Sequence, residues 1–341
     1  MKDILNKLLD NQNLTIEEMK SATVKCLEEN ADDAQIAALL TALRMKGETA
    51  DEMAGMVEVI RAQSELDDLY IPNIMDNCGT GGDQSNSFNI STTTAFVLAG
   101  AGVTVAKHGN RSISSKTGSA DVLEELGVSL TMTKEHTEAM LKENKISFLF
   151  APHVHTKLRP FMKVRTTLGL PTIFNLIGPL TNPVNLDSQL LGVYQRDKLV
   201  VIAEALKKLG RKRAVVLNGA EYMDEASLAG DNHLVLLEDG HITSFTLHPE
   251  ELGLPVYNSD AIRGGNPKEN AAILKSVLSN EQGPYLDTVL LNAAIGLFAN
   301  GKADDIKQGV DIARESIASG AAMERLNNLV QYSKNLKREA I

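Results

Sequence analysis

The chain has 341 residues, with 44 Asp and Glu against 34 Lys and Arg. The formal net charge of −10 excludes a general nucleic-acid-binding or anionic-membrane surface, so any anion site must be a local pocket of positive potential. Hydrophobic content of 43% supports a sizeable core, aliphatic because aromatics are 4% and Trp is absent, and the two cysteines, Cys26 and Cys78, are too few for a disulfide framework or a cysteine zinc site.

That cysteine usage fits a reducing, cytoplasmic setting. The opening MKDILNKLLDNQNL is too polar and acidic for a signal peptide, and no run of about 18 apolar residues predicts a membrane span. The first 65 or so residues read as helix. Ile36, Leu39, Leu40 and Leu43 fall at helical spacing, as do Met53, Met56, Val57 and Ile60. Thr15-x-x-Glu18 and Thr49-x-x-Glu52 predict capping boxes, and Gly47 predicts a helix end. At Tyr70-Ile71-Pro72 the texture changes. Short aliphatic runs at 103–106, 146–150, 190–193, 214–217, 234–238 and 242–247 predict strands. Helical stretches at 91–101, 120–126, 133–144 and 198–209 alternate with most of them, which predicts βαβ units and a mainly parallel sheet. Helix returns near 269–280, 285–299, 302–318 and 320–337. The segment 160–183, rich in Pro and Gly, predicts a crossing between two units.

Residues 84–120 contain no Asp or Glu, where the chain average would give about five. The same window carries Lys107, His108, Arg111, Lys116 and twelve Ser or Thr, behind the lead-in Gly79-Thr80-Gly81-Gly82-Asp83. Backbone N–H groups freed by glycine, hydroxyls and point cations match the oxygens of phosphate. The lead-in is neither a P-loop nor a GxGxxG fingerprint, and by itself it reads equally well as an ordinary tight loop after a strand. Asn89-Ile90-Ser91-Thr92-Thr93 opens a predicted helix; its hydroxyls read first as caps, and the N-terminus they decorate also favours an anion.

Lys107-His108-Gly109-Asn110-Arg111-Ser112 follows the strand at 103–106, where the carboxyl ends of α/β strands form a ligand crevice. A solvated charged loop is the alternative, and His108 could be purely structural. Asp224-Glu225 read either as an acidic pair at a helix N-terminus or, with phosphate oxygens completing the shell, as ligands for Mg²⁺. Arg165 is a surface charge, or the bidentate partner of a small carboxylate.

Together these blocks resemble the anthranilate phosphoribosyltransferase family over nearly the whole chain. The resemblance rests on Asp76 to Asp83 (DNCGTGGD), Asn89 to Thr92 (NIST), Lys107 to Ser112 (KHGNRS), Ala151 to His155 (APHVH), Thr172 to Pro183 (TIFNLIGPLTNP) and Asp224-Glu225. It implies an α/β fold class: a small all-helical domain, plus a larger α/β domain with a mainly parallel central sheet flanked by helices. The division it implies is 1–68, completed by roughly 165–190, against 69–164 and 191–341. It implies transfer of phosphoribose from 5-phosphoribosyl 1-diphosphate to the amine of anthranilate, with Mg²⁺ as cofactor, two ions being possible. Carried over by position, Gly79, Gly82, Asp83, Ser87, Asn89, Ile90, Ser91, Thr92, Lys107, His108, Gly109, Asn110, Arg111, Ser112, Ile113, Ser114, Ser115 and Ser119 would surround the phosphoribosyl diphosphate. Gly79, Asn110 and Arg165 would contact anthranilate, and Ser91, Asp224 and Glu225 would hold the metal. No residue is assigned as an acid or base. The resemblance also implies a homodimer through the helical domain, and no nucleic-acid or membrane partner. Two rival readings are a pyrimidine nucleoside phosphorylase-like enzyme and a non-catalytic relative that binds nucleic acid. The acidic net charge and the retained Asp224-Glu225 pair weigh against the second.

Overall fold

The computed structural model describes residues 1–112 and 117–339. Four helices open the chain: α1 (Lys2–Leu9), α2 (Ile16–Leu27), α3 (Asp33–Lys46) and α4 (Ala50–Arg61). Both expected capping boxes form, at Thr15 with Glu18 and at Thr49 with Glu52, so two backbone N–H groups at each helix start are satisfied. Glu52 does more than cap. Fully buried, it also accepts from the Leu14 backbone N–H at 2.9 Å and from Lys46 Nζ at 3.0 Å, tying three segments of the unit together.

The sheet has seven strands: β1 (Ile74–Asp76), β2 (Thr104–Gly109), β3 (Ile146–Phe150), β4 (Ser188–Gly192), β5 (Arg213–Asn218), β6 (Asn232–Glu238) and β7 (His241–Leu247). Their order is β3-β2-β1-β4-β5-β6-β7. β1 to β5 are parallel, and β6 and β7 extend the edge as an antiparallel hairpin. β1 has only three residues, too few for a periodic signal, yet it lies inside the sheet between β2 and β4.

Side chains alternate across a strand, and β5 shows the two cores this creates. Val215 faces one layer with Phe96, Leu98, Leu290 and Leu291, from α5 (Ile90–Gly100) and the helix Pro284–Asn300. Ala214 and Val216 face the other, with Ile202 and Leu206 of the helix Leu199–Lys208 and with Leu39, Leu40, Met53, Met56 and Ile60 of the helical unit. The helical unit is therefore packed onto one sheet face through a shared core.

The Pro- and Gly-rich segment is more regular than its composition predicts. It forms the helix Arg159–Leu168, started by Pro160 in the first turn and closed by Gly169 at φ 61°. Phe161 and Val164 of this helix enter the core of α1–α4. The expected helix from 302 begins instead at Ile306, because Asp305 caps it by accepting from Gln308 N.

Candidate active site

The strand order runs outward in opposite directions from β1 and β4. In an open α/β sheet this switch point leaves a crevice beyond the carboxyl ends of the strands. Four connections meet there: the loop after β1, the residues after β2, the turn after β4 and the loop after β5.

The loop after β1 is Gly79 to Asp83 with its flanks. Gly81 and Gly82 take φ of 69° and 87°, backbone that disfavours a side chain. Gly79 is needed for space: a β-carbon there would lie 2.5 Å from Asp224 Oδ2 and 2.9 Å from its carbonyl oxygen. Thr80 N donates to Gly192 O at 2.9 Å, binding the loop to the end of β4. Gly81 N donates to Asp224 Oδ2 at 2.6 Å. Asp83 accepts from Ser85 N at 3.1 Å and from Asp224 N at 3.4 Å. Ser87 forms an isolated bridge with Arg263.

The start of α5 lies beside this loop. Its hydroxyls do not cap it: Thr93 Oγ1 bonds back to Asn89 O, and no side-chain cap is made by Asn89. The carboxylate of Glu225 takes the position instead, accepting from Ser91 N at 3.1 Å. A negative group is favoured there by the helix N-terminus. Asn77 Nδ2 donates to Ser91 O at 2.8 Å, so the two phosphate-type motifs hold each other.

Lys107, His108 and Gly109 lie inside β2 rather than after it, and Lys107 and His108 are buried. The strand outlasts its apolar run because Asp76 at the end of β1 receives it, Oδ1 accepting from His108 N at 3.2 Å. Asp76 Oδ2 accepts from Asn182 Nδ2 at 2.9 Å, and the same amide donates to Ala106 O at 2.8 Å. Lys107 Nζ donates to His108 O at 3.0 Å, and its charge offsets part of the burial cost of Asp76. Burial first, then His155 and Lys107, push His108 well below the ordinary imidazole range; burial takes His155 down to about 4. Both rings are neutral and meet edge to face at 5.5 Å. Cys78, pushed up to about 12 by burial, remains a thiol.

Arg111 is exposed and paired with Asp121 and Glu124 of the helix Ser119–Glu125, the first acids beyond the acid-free window. Its charge is therefore shared rather than aimed wholly at the crevice. Asn110 N donates to Ser119 Oγ, and Ser112 N to Asp121 Oδ2. Ile113, Ser114 and Ser115, also expected at this site, lie outside the described residues.

Asp224 and Glu225 follow the loop after β5. Burial pushes Asp224 well above the usual carboxylate range, and the charges of Asp83 and Glu225 add to this. Burial likewise lifts Glu225 to about 7, against the opposing pull of Lys107. Three acids, Asp83, Asp224 and Glu225, converge there, with Lys107 offsetting part of the charge on Glu225. Among the described residues no group of three His, Cys, Asp or Glu makes a ready metal cage. The hard oxygens of Asp224, Glu225 and the Ser91 hydroxyl thus fit a divalent cation that takes the rest of its shell from water or ligand oxygens, as Mg²⁺ does.

Arg165, on the helix Arg159–Leu168, is half-buried. Its guanidinium lies 5.0 Å over the Phe174 ring and donates to Met162 Sδ, with no carboxylate among its described partners. Sequence reasoning missed Asp76, Asn182 and Asn218 as members of this assembly. A polar residue closing a strand just before a Gly-rich loop is the signal that could have found Asp76. No helix among the described residues is long and apolar enough to cross a membrane.

Comparison with known proteins agrees with this layout. Residues 71–323 match the glycosyl transferase family a/b domain, and residues 2–64 its helical bundle domain. An anthranilate phosphoribosyltransferase of Oceanobacillus iheyensis is 57% identical over 336 residues, 98% of this chain and 99% of that protein. One from Listeria innocua is 56% identical over the same coverage. The crystal structure of anthranilate phosphoribosyltransferase from Thermus thermophilus superposes with a TM-score of 0.92 at 39% identity, covering 97% of this chain and 99% of that one. The Saccharomyces cerevisiae enzyme in complex with PRPP and Mg gives 0.88 at 29% identity, covering 98% and 97%.

Proposed function

The chain belongs to the anthranilate phosphoribosyltransferase family, and on that premise we propose how its crevice transfers phosphoribose from 5-phosphoribosyl 1-diphosphate to the amine of anthranilate. The observation that carries the reading is the convergence of Asp83, Asp224 and Glu225 on the Gly79–Asp83 loop and the N-terminus of α5. Repelling carboxylates beside a set of anion-type donors make sense together when a cation and a polyphosphate occupy the space between them.

Ser91, Asp224 and Glu225 would hold Mg²⁺, two ions being possible, and the metal when bound would supply positive charge to the diphosphate oxygens. Gly79, Gly82, Asp83, Ser87, Asn89 to Thr92, Lys107 to Ser112 and Ser119 surround the phosphoribosyl diphosphate. Negative charge grows on the leaving group, and preorganised donors and the buried Lys107 favour that change most. Gly79, Asn110 and Arg165 bind anthranilate, its carboxylate on the Arg165 guanidinium. The attacking group is a neutral aromatic amine, so no strong base is required; the neutral His108 and His155 are compatible with that. Closing the crevice aligns amine and sugar and excludes the water that would hydrolyse the activated sugar.

The division into a helical unit, 1–68 completed by roughly 165–190, and a sheet unit of 69–164 and 191–341 belongs to the same reading. So does a homodimer through the helical unit, whose Leu9 and Met45 are 77% and 84% exposed. Cytoplasmic residence is supported by two unpaired cysteines.

The test is anthranilate fluorescence in the presence of enzyme. Anthranilate should be consumed only when both 5-phosphoribosyl 1-diphosphate and Mg²⁺ are added, with no phosphorolysis of thymidine or uridine. Consumption unaffected by a chelator, or nucleoside cleavage, would overturn the reading.

A further inference from the structure

Separated from Asp224 only by Met223, two consecutive residues with side chains stand in left-handed backbone: Glu221 at φ 59° and Tyr222 at φ 62°. The β-carbon of an L-residue crowds its own carbonyl there, so two in succession persist only where the surroundings impose them. The loop they form is closed at its base. Gly219 N donates to Met223 O at 2.9 Å, and Met223 N to Ala220 O at 3.4 Å.

One side chain governs this base. Asn218 Nδ2 donates to the carbonyls of Val193 at 2.8 Å, Tyr194 at 3.2 Å and Met223 at 3.4 Å, joining the end of β4 to the residue that precedes Asp224. Asn218 Oδ1 accepts from Arg196 Nε at 2.8 Å. The Arg196 guanidinium in turn lies 4.6 Å over the ring of Tyr222, which is 59% exposed. The bent loop is thus clasped by an arginine anchored to the same amide that fixes its base. Beyond the loop there is no slack. The backbone of Asp224 presses on Gly192 and that of Glu225 on Gly219, and neither glycine has room for a β-carbon.

We propose that the Arg196–Tyr222 stack is a positioning device: it holds the loop at 219–223 in its left-handed form and thereby sets Asp224 and Glu225 for a divalent cation. This deepens the metal assignment made above and rests on it. A stack that served only to stabilise the loop would change the melting temperature and leave cation binding alone.

Three variants separate the two roles. Tyr222→Gly removes the ring at a position whose backbone suits glycine. Tyr222→Phe keeps the ring, and Glu221→Gly relieves backbone strain while leaving the stack. Mn²⁺ binding is followed by electron paramagnetic resonance with diphosphate present and no anthranilate, so turnover does not enter. The Tyr222→Gly protein should bind Mn²⁺ about 10-fold more weakly, the scale found when supports of metal ligands are removed. The Phe and Glu221→Gly proteins should bind as the parent does. Melting temperatures in chelator should stay within about 3 °C of the parent for all three. Parent-like binding by Tyr222→Gly, or equally weak binding by Tyr222→Phe, would overturn the inference. If the parent itself binds no Mn²⁺ or Mg²⁺ beside diphosphate, the metal assignment falls, and this inference with it.

Discussion

Burial holds Asp224 and Glu225 at a cost to the metal-free fold. Glu225 is lifted to about 7 by burial. A carboxyl raised in the folded state binds its proton more tightly there than in the unfolded chain. The metal-free fold therefore loses stability as pH rises from the ordinary glutamate range near 4.5 through 7. Glu225→Gln should flatten that slope and stabilise the metal-free protein at pH 8 by roughly 1 kcal/mol or more, seen as a higher melting temperature in chelator, since one pKa unit corresponds to about 1.4 kcal/mol. The same change, and Asp224→Asn, should weaken Mg²⁺-dependent turnover about 10- to 100-fold while anthranilate binding moves less. Calorimetry against pH and a Mg²⁺ titration of the rate check both halves. A metal requirement identical to the parent's in both variants would remove these residues from the metal site.

At the scale of elements, the crevice is set by backbone approach. The Gly79 loop, the end of β4 and Asp224 are close enough that Gly79→Ala would drive a β-carbon against the Asp224 carboxylate. The distant sheet and helices need not change, so the variant should fold with parent-like circular dichroism. Its kcat/KM should fall about 10- to 100-fold, as for other losses of support behind a metal ligand. Unchanged kinetics would show that the loop and Asp224 move independently. This dependence on contact explains what the sequence could and could not reveal. The capping boxes at Thr15 and Thr49 were readable because each is a four-residue signal closed on itself. The long strands and C-terminal helices were readable from aliphatic runs and periodicity. β1 was not, because three residues carry no period and its place between β2 and β4 is decided by partners far along the chain. The roles of Asn182 and Asn218 were not legible for the same reason: each gains its partners only when the sheet brings carbonyls to it. The anion-type motifs were legible as composition, but their mutual geometry, with Glu225 rather than a hydroxyl at the start of α5, was not.

At the scale of the whole molecule, the proposed grips on the two substrates draw on different parts of the fold, with Gly79 and Asn110 on the sheet side shared by both. The groups assigned to the diphosphate stand on the sheet: the loop after β1, the start of α5, the end of β2 and the loop after β5. Arg165 stands on the helix Arg159–Leu168, whose Phe161 and Val164 belong to the core of α1–α4. Asn182, near the end of the crossing segment, is bonded to Asp76 and to Ala106 O of β2, which ties that end of the segment to the sheet. Arg165 is already oriented by Phe174, which limits the freedom it loses on binding. Arg165→Ala removes a charge-assisted contact of about 1.5–3 kcal/mol. The KM for anthranilate should therefore rise about 10- to 100-fold, while the KM for 5-phosphoribosyl 1-diphosphate stays near the parent value. Arg165→Lys should recover only part of the loss, because an ammonium cannot reproduce the two-pronged geometry or the stack on Phe174. Steady-state kinetics varying each substrate in turn separates the outcomes. If only the KM of the diphosphate substrate moved, Arg165 would belong with the sheet-side grip, and the acceptor carboxylate would need another partner.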